Sequence, residues 1–133
     1  MRETKYRVWD KEEKTMRTLE QIYKIGGVKI WSDNLDTEEN FILLEYTGIK
    51  DKNGEEICEG DIIQGELLVM RWNEAKHTEY EDEVVIKPIV VKRSEFGFLP
   101  FIYWLVKYLD ILEMRIEVIG NIYENQKLLE VKP

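Results

Sequence analysis

The segment Asp51-Lys52-Asn53-Gly54 constrains this chain more than any other. Asn-Gly suits a type I′ hairpin turn, because both central residues need positive φ and these two tolerate it at least cost. A tight hairpin demands a strand on each side, at residues 42–49 and 56–64, with kinks at Thr47-Gly48 and Gly60-Asp61. Glu59-Gly60-Asp61-Ile62-Ile63 reads as a chain turning into a strand of a small barrel. Glycine permits the bend, aspartate caps the turn, and the isoleucine pair enters the core.

The remaining pattern agrees with a β-rich chain. Residues 5–9 alternate as a strand with Tyr6 and Val8 on one face, and the polar residues 10–14 make a hairpin turn. Residues 19–25 read equally well as strand or as helical turns, and Gly26-Gly27 breaks the chain. Residues 28–31 resume alternation, 32–40 form a polar loop or capped turn, and 41–46 are an apolar run. Further strands are expected at 66–72 and 84–91, separated by the acidic stretch 73–83 as a solvated connection. Residues 94–98 suit a short strand and 101–112 a helix packed by one face and opened by Pro100. Residues 115–122 alternate as a last strand, and Asn125 is placed to cap a closing helical turn with Leu128 and Leu129. The expectation is one domain over 1–133, mainly β (α+β): a bent antiparallel sheet or small β-barrel with one or two short helices.

Composition narrows the function. The 133 residues hold 27 acids against 19 bases, a net charge of −8, which disfavours duplex nucleic acid because that affinity comes from Lys and Arg on phosphates. The longest apolar-rich run, 96–106, is broken by Gly97 and Pro100 and falls short of the ~20 residues of a membrane span, so no membrane partner is expected. The charged start Met1-Arg2-Glu3-Thr4-Lys5 is unlike an export signal, and the single Cys58 forms no disulfide within its chain, which favours the cytoplasm.

Two long segments resemble the YopX family of phage and prophage proteins. The first runs from Glu45-Tyr46-Thr47-Gly48-Ile49 through Asp51, Asn53 and Gly54 to Glu59-Gly60-Asp61-Ile62-Ile63; the second is Glu117-Val118-Ile119-Gly120-Asn121-Ile122-Tyr123-Glu124-Asn125. The opening Lys5-Tyr6-Arg7-Val8-Trp9-Asp10-Lys11 is similar to the family's start. Cys58 departs from an aromatic usual in the family, and Gln126-Lys127 departs from the Pro-Glu that would begin the last helix. Residues 65–114 carry no matching signature. The resemblance implies a phage or prophage origin, a bacterial host cytoplasm, a β-rich fold and self-association. It supplies no catalytic residue. Tyr46, Thr47, Gly48, Asp51, Asn53, Gly54, Glu59, Gly60, Asp61, Gly120, Asn121 and Tyr123 are read as structural, because turns and bends explain these residue types before any chemistry does.

Sharper readings find little support. His77 among Glu74, Glu79 and Glu81 has metal-binding chemistry, but one histidine and one cysteine preclude the common zinc sites, so no metal is expected. Cys58 as a nucleophile needs His77 as its base, and the two fall on different segments. Gly26-Gly27 lacks the rest of a phosphate loop, no spacing singles out a carboxylate pair, and neither catalysis nor a cofactor is expected. Trp9, Trp31, Trp72 and Trp104 suggest a stacking platform for single strands, with Lys5, Arg7, Arg17 or Lys87, Lys92, Arg93 as its basic groove. A second alternative is an acidic DNA mimic that inhibits a host enzyme. The leading expectation is an accessory protein that binds protein, a host or phage partner and its own kind, with Phe96, Phe98, Phe101, Tyr103 and Trp104 as the interface.

Overall fold

The computed structural model of the chain describes residues 6–24, 40–108 and 110–129. The expectations for 28–31 and 32–39, and any role of Trp31, lie outside the described residues. Strands β1 (Tyr6–Asp10) and β2 (Thr15–Thr18) form the first hairpin, with Val8 opposite Arg17 and Trp9 opposite Met16. Asp10 builds its turn: Oδ1 accepts the N–H groups of Glu12 and Glu13 at 3.1 Å, and Oδ2 accepts Nε–H of Arg17 at 3.1 Å. The segment that follows is helix α1 (Leu19–Lys24). A reciprocal capping box starts it: Thr18 N–H donates to Gln21 Oε1 at 2.9 Å and Gln21 N–H donates to Thr18 Oγ1 at 3.2 Å.

Strand β3 (Phe41–Lys50) pairs with β1 on one side and β4 (Glu56–Cys58) on the other, giving an antiparallel sheet in the order β2-β1-β3-β4. The turn between β3 and β4 is not the type I′ form. Gly54 alone within it has positive φ, at 83°; its N–H donates to Asp51 O at 3.0 Å, and Asp51 N–H donates to Glu55 O at 2.8 Å. This is a three-residue loop ending in a left-handed glycine. Asp51 Oδ1 selects it by accepting the N–H groups of Asn53 and Glu55 at 2.9 Å each, which curls the chain before glycine reverses it.

Strand β5 (Asp61–Asn73) is the centre of a second sheet, ordered β6-β5-β9, between β6 (Thr78–Val90) and β9 (Asp110–Asn121). The acidic stretch is therefore no loose connection. Its second half is strand, with Glu79 opposite Trp72 and Glu81 opposite Met70, and the break shrinks to a tight turn ending at His77, φ 51°. Solvation of the carboxylates and a complete backbone ladder coexist because an antiparallel ribbon needs only one covered face. Register shifts between Ile63 and Gly65, between Ile62 and Ile63, and between Leu68 and Val69 curl the sheet. At Gly65 a Cβ would stand 2.1 Å from Arg115 O, so only glycine lets β5 and β9 close there. The result is a strongly curled antiparallel half-barrel, mainly β, with two short α-helices among the described residues.

A small hairpin, β7 (Lys92–Ser94) and β8 (Gly97–Leu99), leads to helix α2 (Phe101–Lys107), with Pro100 at its N-cap position. The helix expected over 101–112 ends at Lys107, because Asp110 onward is needed as the partner of β5. A 3₁₀ turn, Gln126–Leu129, ends the described chain. Asn125 does not cap it by side chain; its Oδ1 accepts Asn121 N–H at 3.1 Å instead.

The main core lies inside the curl: Ile57, Ile63, Leu67, Val69, Val91, Phe101, Trp104 and Ile116 are buried together. A smaller cluster of Trp9, Leu44 and Cys58 sits under the first sheet. Gly60, φ 88°, is the pivot between them: its N–H donates to Val91 O at 2.8 Å, and its carbonyl accepts Ile122 N–H at 2.9 Å.

Candidate functional site

The residues of the recognisable blocks meet where β1, β3, β4 and β5 converge, and most of them turn inward. Asp61, 1% exposed, holds Arg7 through a hydrogen-bonded ion pair from Nη2 to Oδ1, while its Oδ2 accepts Cys58 N–H at 2.8 Å. Tyr46 lies beneath the guanidinium, 6.0 Å from Cζ to ring centroid. Nε of Arg7 is buried without a hydrogen-bond partner among the described residues. Burial opposes the charge on Arg7, but Asp61 outweighs it and lifts the guanidinium above its usual value. For Asp61 burial is the larger influence and pushes the carboxyl up, against the pull of Arg7 and the Cys58 N–H. The pair joins the first strand to the fifth.

The other block residues serve turns and crossings. Thr47 Oγ1 donates to Ile57 O at 2.8 Å and accepts Ile49 N–H at 3.0 Å beside Gly48, φ 83°. Asp51 Oδ2 accepts Val118 N–H at 3.0 Å, so one carboxylate holds both the turn and β9. Burial would raise that carboxyl, but the three backbone N–H groups and Lys52 bring it below its ordinary value. Glu59 Oε1 accepts Glu45 N–H at 3.4 Å. Asn121 Oδ1 accepts the N–H groups of Tyr123 and Glu124 at 3.0 and 2.9 Å, and Gly120 leaves room for Asn125 Oδ1, which would lie 2.6 Å from a Cβ. Tyr123 stacks on Trp9 with centroids 5.3 Å apart. Sequence reasoning read Arg7 as part of a basic groove and Asp10 as part of a solvated turn; the signal for their pairing was a charged residue at strand positions that β2 and β3 cover.

Cys58 and His77 are not brought together. Cys58 is fully buried at the end of β4, donates Sγ–H to Glu45 O at 3.4 Å, and is pushed by burial up to about 12, while His77 is exposed on the β5–β6 turn. Among the described residues no three of His, Cys, Asp and Glu are grouped to hold a metal ion. No helix among them is long and apolar enough to cross a membrane.

The aromatic candidates divide. Phe101 and Trp104 belong to the core, 6% and 4% exposed, and meet edge-on at 5.4 Å, which removes them from the interface expected at 96–104. Phe98 is half-buried against the same core. Phe96 and Tyr103 are exposed at 85% and 55%, and with them Leu105 at 72% and Val106 at 79%, two residues that the helical spacing over 101–112 placed on the packed face and that the structure turns outward. A seven-residue helix with six apolar or aromatic positions buries only its first and fourth; the surplus faces outward. The four-tryptophan platform does not form: Trp9 and Trp104 are buried, leaving Trp72 as the exposed tryptophan among the described residues. Nor do Arg7 and Arg17 make a basic groove, since they pair with Asp61 and Asp10, and Arg93 pairs with Glu45 at 3.2 Å.

Comparison with known proteins agrees with this frame. The crystal structure of protein EF1440 from Enterococcus faecalis is similar over 98% of this chain and 100% of that one, with a TM-score of 0.52 and 21% identity, a likeness of fold. A search of curated proteins finds no matching sequence. The sequence pattern of the YopX protein family matches residues 5–130, nearly the whole chain and both blocks around the Arg7–Asp61 junction, and the chain belongs to that family.

Proposed function

We propose that this chain works by binding protein rather than by catalysis, as a phage or prophage accessory protein in a bacterial cytoplasm, and that its first partner is a second copy of itself. The observation that carries this reading is the outward apolar surface of α2 and the preceding hairpin: Tyr103, Leu105, Val106 and Phe96 are each more than half exposed. Surfaces of this kind on otherwise charged proteins are covered by a partner. A twofold interface satisfies the requirement with one patch, because the same residues face each other on both subunits. Membership of the YopX family supports the phage setting.

The test is the mass in solution at micromolar concentration. The expected value is a multiple of 16.0 kDa, reduced to the single-chain mass in a Leu105→Asp/Val106→Asp variant whose circular dichroism is unchanged. A wild-type chain that runs at its single-chain mass refutes self-association. Capture of host proteins by the immobilised wild type, lost in the same variant, tests the wider reading.

A further inference from the structure

We infer that the outer face of the β6-β5-β9 sheet, the face turned away from the core, docks a basic amphipathic helix of a partner protein. Side chains alternate along β5, so its two faces differ. Leu67 and Val69 point to the inside of the curl, where they join Phe101 and Trp104 of α2 in the core. Leu68, Met70 and Trp72 alternate with them and form an apolar stripe down the middle of the outer face. Leu68 and Met70 are half-buried and Trp72 is 51% exposed. Val85, opposite Glu66 and exposed at 74%, adds an aliphatic group on β6 beyond Glu83. α2 packs from the inner side, so this stripe is separate from the apolar patch of α2.

Carboxylates edge the stripe on both sides. On β6, Glu83, Glu81 and Glu79 stand opposite Leu68, Met70 and Trp72 in turn; on β9, Glu113 and Asp110 stand opposite Leu68 and Met70. Residues opposite one another on paired strands share a face, and the ion pairs of Arg115 with Glu66, Glu83 and Glu113 agree with that placement. Arg115 is thereby engaged, whereas Glu79, Glu81 and Asp110, all exposed, make no ion pair among the described residues. The like charges along β6 repel one another in the free chain, and a cationic partner relieves them. Strand geometry sets the shape of that partner. The stripe is about 14 Å long, and the carboxylate rows, one strand to each side, stand about 10 Å apart. An α-helix lying along β5 is about 10–12 Å across and covers the stripe with about nine residues. Its apolar side meets Leu68, Met70 and Trp72, while Lys or Arg on both flanks reach the carboxylates, in the way helices cover the outside of a curled sheet. A second copy of this chain is a poorer match, since its net charge is −8 and α1 and α2 carry one lysine each; a nucleic acid is repelled. The inference rests on the protein-binding reading and names a partner's chemistry, but it does not depend on self-association through α2.

The probe is a fluorophore-labelled leucine–lysine peptide of about 14 residues, with leucines on one helical stripe and lysines on both flanks, read by fluorescence anisotropy between about 50 and 200 mM salt. Its controls are the same stripe flanked by glutamate and a scrambled peptide of equal composition without a stripe. Expected are binding of the striped lysine peptide over both controls and a roughly 5- to 30-fold loss of affinity in Trp72→Ala. Glu79→Gln/Glu81→Gln/Glu83→Gln should lose roughly 3- to 100-fold and show a shallower salt dependence. Glu12→Gln/Glu13→Gln/Glu124→Gln removes the same charge from exposed positions elsewhere and should bind like the wild type. All these variants change exposed side chains, and their thermal transitions should not fall below that of the wild type. The inference is overturned if the striped peptide does not bind at the lowest salt, if the scrambled peptide binds as tightly, if the Trp72 and β6 variants bind like the wild type, or if the distant triple variant loses as much as the β6 one. It is also overturned if Trp72→Ala lowers the chain's own mass in solution, which assigns the face to a second copy. A chain that runs at its single-chain mass and still binds the peptide through Trp72 refutes self-association and leaves this inference standing; a multimer that ignores the peptide does the reverse.

Discussion

Removing the Arg7 side chain as Arg7→Met should be among the most damaging single changes available to this fold. Asp61 would keep its hydrogen bond from Cys58 N–H but lose its counter-charge while 1% exposed. Breaking a buried pair in this one-sided way costs about 3–5 kcal/mol, against a total stability on the order of 5–15 kcal/mol. For a domain of this size that corresponds to a fall of roughly 10–20 °C in Tm. The double variant Arg7→Met/Asp61→Asn removes both charges and retains an oxygen for the Cys58 N–H, so it should recover most of the loss. The pair is therefore expected to fix how β1 meets β5 while contributing little net stability of its own, consistent with burial holding the Asp61 carboxyl above its ordinary value. In Arg7→Met the unpaired carboxyl is raised in the folded state relative to the unfolded one. Its penalty is then complete above the folded value and disappears as pH falls below the unfolded value. Urea unfolding followed by tryptophan fluorescence supplies all four corners of the cycle. A loss below about 1 kcal/mol in Arg7→Met, or strict additivity in the double variant, would refute the reasoning.

Four further outcomes follow from the same geometry. Asp51→Ala frees the N–H groups of Asn53, Glu55 and Val118 and should cost about 2 kcal/mol by urea unfolding, with Asp51→Asn costing roughly half, since one acceptor oxygen remains. Asp10 and Asp51 both have lowered carboxyl values despite burial, so the stability they contribute is present above the ordinary carboxylate value and is lost as pH falls through the lowered ones. The urea midpoint should stay level down to about pH 5 and drop below about pH 4, less steeply in Asp51→Asn. Gly65→Ala, with its Cβ 2.1 Å from Arg115 O, should prevent soluble folding, whereas Gly54→Ala, with nothing within 4 Å, should cost only the left-handed backbone penalty of about 1–2 kcal/mol. Cys58, pushed up to about 12, should react with an aromatic disulfide reagent at neutral pH no faster than the protein opens, and at once in denaturant; rapid reaction of the folded protein would contradict its burial.

The sequence reading succeeded where short-range rules govern the chain and failed where distant partners decide. The β3–β4 hairpin was visible in Asn53-Gly54, because few backbones accommodate that pair, yet its type was not. The turn is chosen by the Asp51 carboxylate, which also reaches Val118, 67 residues away. The acidic residues after Trp72 looked like a connection because their composition is that of a loop; pairing with β5 makes them strand. Residues 110–112 lost their helical pattern to the same cause, since β5 needs Asp110 and Ile111 as partners opposite Met70 and Val69. Nothing local marks Arg7 as the partner of Asp61, 54 positions later, so the centre of the block was read as backbone shaping with the charge pair unseen.

That division bears on where recognition resides. Arg7, Asp51, Asp61, Asn121 and Tyr123 bond or stack within the chain, and Cys58, Asp51 and Asp61 are buried, which leaves them little to offer a partner. Among the described residues the large apolar side chains more than half exposed are Trp72, Val85, Phe96, Tyr103, Leu105 and Val106, and every one lies within 65–114, the stretch in which sequence reading alone found no family-like segment. The frame is thus set by the opening strand and the two recognisable blocks, 45–63 and 117–125, whose polar groups would be stranded by substitution. The long ribbon and α2 stand on that frame with exposed rings and aliphatic groups that can change without stranding anything. Substitutions at these exposed positions should therefore alter binding while leaving the unfolding free energy within about 0.5 kcal/mol, and substitutions at the block residues should do the reverse. A Leu105→Asp chain that unfolds as readily as Arg7→Met would show that the two roles are not separable and that α2 is part of the frame.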